Sequence, residues 1–247
     1  MTFVDNYNII LRMKKLLSII LPEVDAGETE NTPEEVEILS FSDDKSLIDV
    51  VKRAKGKFSL VARDDVECDL SDDFFKELDG ANADIIKYGK GFLVKTANLR
   101  GAVNKYSNSC TDIYAVLSCK TAVKSDKTPF SFKTAGSKYS ESDGQAIILL
   151  LEEFKKSKAK LSKEVYAIAF DEICERVIRH IALGLIAVRE NVIKAEVMAE
   201  FDAKLKDNIV LYLAVEKRFS FENLKKTRER GYKTGFFTYK KLKKIYG

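Results

Sequence analysis

Five short apolar runs in the first hundred residues predict the strands of a sheet. They are rich in β-branched and aromatic residues, and most end at proline, glycine or an acidic cluster. Runs this short without polar alternation are typical of strands buried on both faces of a parallel sheet. The runs are LLSIILP (16–22), VEILSFS (36–42), KFSLVA (57–62), ADIIKYG (83–89) and GFLVKT (91–96).

Two segments between these runs have the spacing of amphipathic helices. In SLIDVVKRAKG (46–56) the apolar residues recur at helical intervals, which predicts a helix with Ser46 as N-cap and Gly56 as C-cap. SDDFFKELDGA (71–81) predicts a short helix capped by Ser71. The order strand, strand, helix, strand, helix, strand predicts an α/β fold with a small, mostly parallel sheet and flanking helices.

Beyond about residue 140 the pattern changes to helical stripes, and no proline follows Pro129. We predict three to five helices here, the first capped by Ser142 or Asp143. The chain is therefore expected to have an α/β domain over 1–140 and an all-helical region with a basic tail over 141–247.

Composition excludes several kinds of site. The four cysteines form no C-x-x-C pair, so we expect ordinary reduced thiols. The single histidine, His180, lies in an amphipathic run and is predicted to be a packed or surface side chain, which sets aside a Ser-His-Asp triad or a zinc site. The apolar runs at 16–21 and 146–151 are too short for a signal peptide or a membrane span, so a cytoplasmic protein is expected.

Charge is distributed unevenly along the 247 residues. The formal net charge is +4, but the segment 20–85 holds 19 acidic and 7 basic residues, whereas 217–247 holds 11 basic and 2 acidic. This asymmetry indicates a charged partner for the tail, such as an anionic membrane surface, or else a solvated final helix.

Four motifs occur in an order that resembles one enzyme family. SIILP (18–22), DDKS (43–46), AKGKF (54–58) and ARDD (62–65) are similar to the S-I-I-I-P, D-D-G-S, A-x-G-x-Y and D-x-D-D segments of GT-A type, family-two glycosyltransferases. These enzymes build bacterial surface polysaccharides. The segment GFLVKTANLRG (91–101) resembles a later strand and turn of the same family, so the chain resembles a shortened, partly degenerate member.

The resemblance implies roles for six residues. It places Pro22, Asp43, Asp44 and Asp64 against the nucleotide of a nucleotide-sugar donor, and Asp64 and Asp65 against a divalent cation, Mn²⁺ or Mg²⁺, on its diphosphate. The segment CTD (110–112) falls where the family has an acidic pair, so Asp112 is the expected general base for a saccharide or lipid-linked acceptor.

Each of these residues also has a purely structural interpretation. Asp43 and Asp44 would form an Asx turn, and Asp64 and Asp65 would be loop or helix-entry acids. Asp112, or Thr111 before it, would be the N-cap of a helix through IYAVL.

Departures from the family pattern predict weak activity or none. Ala62 replaces the first acid of the cluster, Lys45 the turn glycine and Thr111 the acid before the base. The segment between Pro22 and Glu37 is too short for the family's first helix. The alternative to an enzyme is therefore a non-catalytic relative that serves as a protein-interaction module. Nucleic-acid binding ranks last because the tail has no sheet of aromatic platforms.

Overall fold

The computed structural model of the protein describes residues 15–22, 32–62, 65–89, 91–133 and 138–218. The strands in these ranges are β1 (Leu17–Pro22), β2 (Val36–Phe41), β3 (Phe58–Val61), β4 (Asp65–Cys68), β5 (Ile85–Tyr88), β6 (Gly91–Lys95), β7 (Ala122–Ser125) and β8 (Phe130–Lys133). The helices are α1 (Asp44–Arg53), α2 (Asp72–Gly80), α3 (Thr96–Val103), α4 (Thr111–Leu117), α5 (Glu141–Ser157), α6 (Lys163–Arg189), α7 (Ala195–Lys206) and α8 (Ile209–Arg218), and a 3-10 turn covers Lys158–Lys160.

Six strands form one sheet in the order β2-β1-β3-β6-β5-β7. Strand β6 is antiparallel to both of its neighbours, and the other adjacent pairs are parallel. The predicted mixed α/β fold, with a mostly parallel sheet and a helical C-terminal region, is therefore confirmed. Within residues 138–218 there are four helices, α5 to α8, and the predicted three to five helices over 141–247 stay a prediction.

The sheet is covered on both faces. On one face a small core, which includes Leu17, Phe58 and Phe74, lies under α2 and the β4–β8 pair. On the other face a larger core extends without interruption from Ile20 in β1 to Val215 in α8. The helices after residue 140 thus share a core with the sheet, and the division into two domains stays a prediction.

The chain has a second, two-stranded sheet that the sequence did not predict. Strands β4 and β8 pair antiparallel, with Asp65 opposite Lys133. Asp65 is therefore the first residue of a strand, and its interpretation as a loop or helix-entry acid was wrong. The four residues of β4, DVEC, alternate polar and apolar, but so short a run does not define a strand by itself, and pairing with β8, more than 60 residues away along the chain, stabilises the extended conformation.

The predicted caps of α1 were displaced by a few residues. Asp43 is the N-cap, and its Oδ1 accepts a hydrogen bond from the Ser46 backbone N–H at 2.7 Å. Ser46 completes a capping box instead of acting as the N-cap. The C-cap is Ala54 and not Gly56.

The other predicted caps have mixed outcomes. Ser71 caps α2 as predicted. Helix α5 is capped by Ser140, whose hydroxyl accepts from the Asp143 backbone N–H, and not by Ser142 or Asp143.

Gly56 has a different function from the predicted helix cap. Its N–H donates to Ser18 Oγ at 2.9 Å, and its carbonyl accepts from Thr96 Oγ1 at 2.6 Å. A Cβ at this position would lie 2.5 Å from the Ser18 backbone nitrogen. Only a residue without a side chain allows this contact between the chain before β3 and strand β1.

We expect Gly56→Ala to destabilise the protein by about 1–3 kcal/mol, because the backbone of Ser18 has no room to move in a packed sheet. Urea denaturation gives this free energy of unfolding. Gly101→Ala is the matched control: its Cβ would meet nothing within 4 Å, and alanine favours the helix α3. Equal stabilities of the two variants would contradict the packing argument.

Candidate functional site

A cleft of about 270 Å³ opens where β1 and β2 end. Its volume is close to the lower end of the range of about 300–1,000 Å³ typical of small-molecule sites. Ligands of open α/β sheets bind outside the carboxyl ends of the strands, so the position is a favourable one. The lining residues are Pro22, Phe41, Ser109, Cys110, Lys138, Ser140, Asp143, Ile147, Arg176, Arg179, His180 and Leu183.

One wall of the cleft is a single face of α6. Arg176, Arg179, His180 and Leu183 follow each other at the i, i+3, i+4 and i+7 spacing of one helical stripe. Lys138 and Asp143 approach from the segment before α5 and from its first turn. The cleft therefore lies between the sheet and the helical region and depends on both.

Arg176 is anchored below the cleft by α4. Its Nη1 donates to the carbonyl of Ser109 at 2.7 Å, and its Nη2 donates to Oδ2 of Asp112. Burial is the largest single influence and would lower the pKa of the guanidinium, but Asp112 and the other nearby acidic groups together outweigh it, so the pKa is raised. The arginine therefore stays charged, and α6 is tied to the start of α4.

A second ion pair extends this contact to the sheet. Lys87 of β5 donates to Glu172 of α6 at 2.7 Å, and both side chains are about 15% exposed or less. Burial raises the pKa of Glu172, and Lys87 opposes this effect. Glu172 and Arg176 are one helical turn apart, so charges alternate from Lys87 through Glu172 and Arg176 to Asp112.

His180 is almost completely buried at the cleft, with 4% of its surface exposed. Its ring lies between Tyr139 and Phe201, at centroid distances of 5.0 and 4.5 Å. Burial lowers its pKa to about 4, against a small opposing effect of Asp143. Among the described residues, its Nε2 has no hydrogen-bond partner. His180 therefore borders the site as a packed side chain with its Nε2 against Gly144 of α5, in agreement with the prediction of a packed or surface side chain.

Of the residues predicted to contact a nucleotide, Pro22 lines the cleft. Asp43 and Asp44 lie just after Phe41, another lining residue, at the start of α1, where Asp43 is exposed and Asp44 is half-buried. The backbone N–H of Ser46 lowers the pKa of Asp43, as an N-cap hydrogen bond should. The Asp43 carboxylate thus has a local structural role, and its contact with a nucleotide stays a prediction.

The two predicted metal ligands, Asp64 and Asp65, cannot be placed as a pair from the described part of the chain. Asp64 lies outside the described residues, and for Asp65 only the backbone is described. No three His, Cys, Asp or Glu side chains within the described ranges are placed to hold a metal ion. The divalent-cation site at Asp64 and Asp65 stays a prediction.

Asp112 is buried beneath the cleft and does not line it. It lies in the first turn of α4, where Cys110 is the N-cap, so the interpretation of Thr111 or Asp112 as N-cap was wrong. Its Oδ1 has no hydrogen-bond partner among the described residues, although the side chain is only 3% exposed. Its role as general base stays a prediction.

Sequence reasoning missed the cations of the cleft wall. Arg176, Arg179 and Lys138 were not candidate site residues, because the α6 segment was interpreted as core. One feature would have revealed them: two arginines on the same helical face as the lone histidine interrupt an otherwise apolar stripe.

No helix within the described residues is long and apolar enough to cross a membrane. The basic tail from residue 219 onward, with its predicted membrane contact, lies outside the described residues.

Comparison with known proteins gives structural similarity only. No protein-family model matches the sequence, and a search of curated proteins found no match. The crystal structure of S. aureus TarS 1-349 is 14% identical, with 83% of this chain and 82% of that chain covered at a TM-score of 0.42. Another S. aureus TarS structure is 14% identical and covers 83% of this chain but 50% of that chain, at a TM-score of 0.43. Similarity at this level assigns neither a family nor an activity.

We expect Asp112→Ala to cost about 3 kcal/mol of stability, the lower end for a buried ion pair, because it leaves the partly buried Arg176 charge, which is 22% exposed, without its carboxylate. Adding Arg176→Met should recover part of that loss. Asp73→Ala is the control, because its ion pair with Lys76 is 77% exposed and should contribute about 1 kcal/mol or less. If Asp112→Ala unfolds at the wild-type urea concentration, the pair does not stabilise the fold.

We expect His180 to remain neutral in the native protein at pH 5.5, where an exposed histidine is mostly protonated. Because the folded-state pKa is depressed, the unfolded chain binds the proton first. The stability from this group is complete above about pH 6.5 and is lost as the pH falls towards 4, by about 3 kcal/mol. The raised pKa of Glu172 has the opposite effect on stability: the native state binds this proton more tightly than the unfolded chain, so protonation of Glu172 stabilises the fold as the pH falls.

A pH titration followed by proton NMR measures the pKa of His180 in the native protein. The chain has one histidine, so its ring signal needs no assignment. The unfolded protein in urea is the reference. A native midpoint near 6.5 would show that the ring is solvated.

Proposed function

We propose that this protein is glycosyltransferase-like and binds a nucleotide-sugar donor in the cleft at the ends of β1 and β2. The observation that carries the proposal is the cationic lining of that cleft by Lys138, Arg176 and Arg179, beside Pro22. A nucleotide sugar carries a diphosphate, and arginine and lysine are the side chains that recognise phosphate oxygens. The motif resemblance supports the same placement through Pro22.

In a transfer reaction the cleft residues would orient the donor and stabilise the charge of the departing diphosphate. The acceptor hydroxyl would lose its proton to Asp112, the positional candidate for the base. In the structure described here that carboxylate is buried and bonded to Arg176. An active enzyme would have to expose it, which supports the expectation of weak activity or none.

The biological setting is proposed from the resemblance alone. It implies bacterial surface polysaccharide biosynthesis with a saccharide or lipid-linked acceptor. A lipid-linked acceptor would be met at the inner face of the membrane, where the basic tail would gain about 1 kcal/mol per lysine or arginine close to anionic lipid.

The alternative is a non-catalytic relative that uses the fold as an interaction module. One observation favours it: the neutralisation of Asp112 by Arg176. In this case the cleft would retain a ligand without turning it over.

The first test is thermal denaturation with a panel of nucleoside diphosphates, such as UDP, with and without Mn²⁺. A ligand at 100 times its Kd stabilises the native state by about 2.7 kcal/mol, which for a chain of this size raises Tm by about 5–10 °C. We expect at least one nucleotide to do so. Lys138→Glu should reduce the shift, whereas Lys160→Glu, on an exposed turn outside the cleft lining, should not.

A second assay uses a nucleotide sugar that contains the stabilising nucleotide and a radiolabelled sugar. It measures transfer of the sugar to an acceptor or to water, and so distinguishes an enzyme from a protein that only binds. Stabilisation without turnover would favour the alternative. No stabilisation by any nucleotide would contradict both proposals for the cleft.

A further inference from the structure

We propose that the ion pair between Lys87 and Glu172 is a proton-sensitive contact between the sheet and α6. It holds α6 against β5 while Glu172 is ionised, and uptake of one proton by Glu172 releases it without unfolding the protein. The inference concerns how the helical region is attached, and it does not require that the cleft bind a nucleotide.

The contact joins two residues that are 85 positions apart in the sequence. Lys87 lies in β5 and Glu172 in α6, and the distance from Nζ to Oε1 is 2.7 Å. The two side chains are 15% and 14% exposed, so solvent and salt screen the pair much less than a surface pair. Breaking this pair therefore changes how strongly α6 is held at this point of the sheet.

The charged groups that act on Glu172 come from three elements. Lys87 approaches from β5, Arg176 follows one turn later on α6 itself, and Asp112 approaches from α4. While Glu172 is ionised, these four side chains carry two positive and two negative charges. Protonation of Glu172 removes one negative charge and leaves the Lys87 ammonium without its carboxylate.

The two ion pairs of this group respond differently to a proton. Arg176 is not deprotonated in proteins, and it donates both to the Ser109 carbonyl and to Asp112. The bond from Lys87 ends on a single oxygen, Oε1 of Glu172, and it depends on the charge of that carboxylate. Proton uptake by Glu172 therefore weakens the contact with β5, whereas the contact with α4 remains.

The surroundings of Glu172 favour its protonated form. Burial is the largest influence and, together with Asp112, it raises the pKa above the ordinary 4.5, against the opposing effects of Lys87 and Arg176. A group whose pKa is raised in the folded state gives a stability that is complete below the unfolded pKa and is lost as the pH rises through the folded pKa. Protonation therefore does not itself destabilise the fold, and the contact is expected to open in the native protein.

Release at Glu172 would reach the cleft because α6 forms one of its walls. Arg176 and Arg179, which line the cleft, lie one and two turns beyond Glu172 on the same helix. With the Lys87 contact open, this part of α6 would be held by its apolar packing and by the Arg176 bonds to α4. We expect local opening of the cleft wall to become more frequent as the pH falls.

Native-state hydrogen exchange of the full chain, followed by mass spectrometry between pH 7.5 and pH 4.5, tests the proposal. Rates are corrected for the intrinsic pH dependence of exchange, and peptides from α1 are the reference for global opening. Loss of one charged hydrogen bond changes an opening equilibrium by about ten- to a hundredfold. We expect peptides from β5 and from the middle of α6 to exchange about tenfold faster at pH 4.5 than at pH 7.5, relative to α1.

Glu172→Gln imitates the protonated side chain. It should show the faster exchange already at pH 7.5, with no further change relative to α1 at pH 4.5. Glu164→Gln is the matched control, because it removes the same charge from an exposed position in the first turn of α6. It should behave like the wild type at both pH values.

The inference is overturned if β5 and α6 exchange at the same rate relative to α1 across the pH series, or if Glu172→Gln retains the wild-type pH dependence. A Glu172→Gln variant that does not fold would also contradict it, because the neutral side chain should be tolerated. The pH series on the wild type measures the same release without a substitution. Nucleotide binding is measured separately at pH 7.5, so its absence would contradict the proposed function and leave this inference standing.

Discussion

The buried contact between Arg176 and Asp112 is the constraint on which the cleft depends. A charge removed from water requires a partner, so α6 can pack on α4 only in a position that joins the guanidinium to this carboxylate. The neighbouring pair of Lys87 and Glu172 adds the same requirement between α6 and β5. Together they fix the helical region against the sheet, and the space left where β1 and β2 end is the cleft.

This arrangement creates a conflict between stability and catalysis. A carboxylate that neutralises a buried arginine is a poor base for a hydroxyl in the cleft, because freeing it would expose an unpaired charge. The same pair also presents the outer side of Arg176 to a ligand. The structure thus gives Asp112 a structural partner, which is the reason for proposing a binder without turnover as the alternative.

The shared core explains why the cleft belongs to the whole chain. Ile20 of β1, Ile147 of α5 and Val177 of α6 belong to one continuous hydrophobic cluster. Separating the helices from the sheet would expose part of that cluster to water. The free-energy cost is about 25 cal/mol per Å² of apolar surface exposed. The cleft walls are therefore held by packing as well as by charge, and an anion would enter a site that is largely formed in advance.

The sequence determined the strands and helices that have strong local patterns. The apolar runs of β1 and β3 and the helical stripes of α1 and α5 are predictable because the spacing of neighbouring apolar residues defines which face is buried. The motif resemblance also singled out Pro22, which lines the cleft. Only the tertiary structure decided the rest. Strand β4 exists through pairing with β8, and Asp112 acquires its partner from a residue 64 positions away. Such contacts join distant segments. Their energy depends on how deeply the partners are buried, which neighbouring residues in the sequence do not predict.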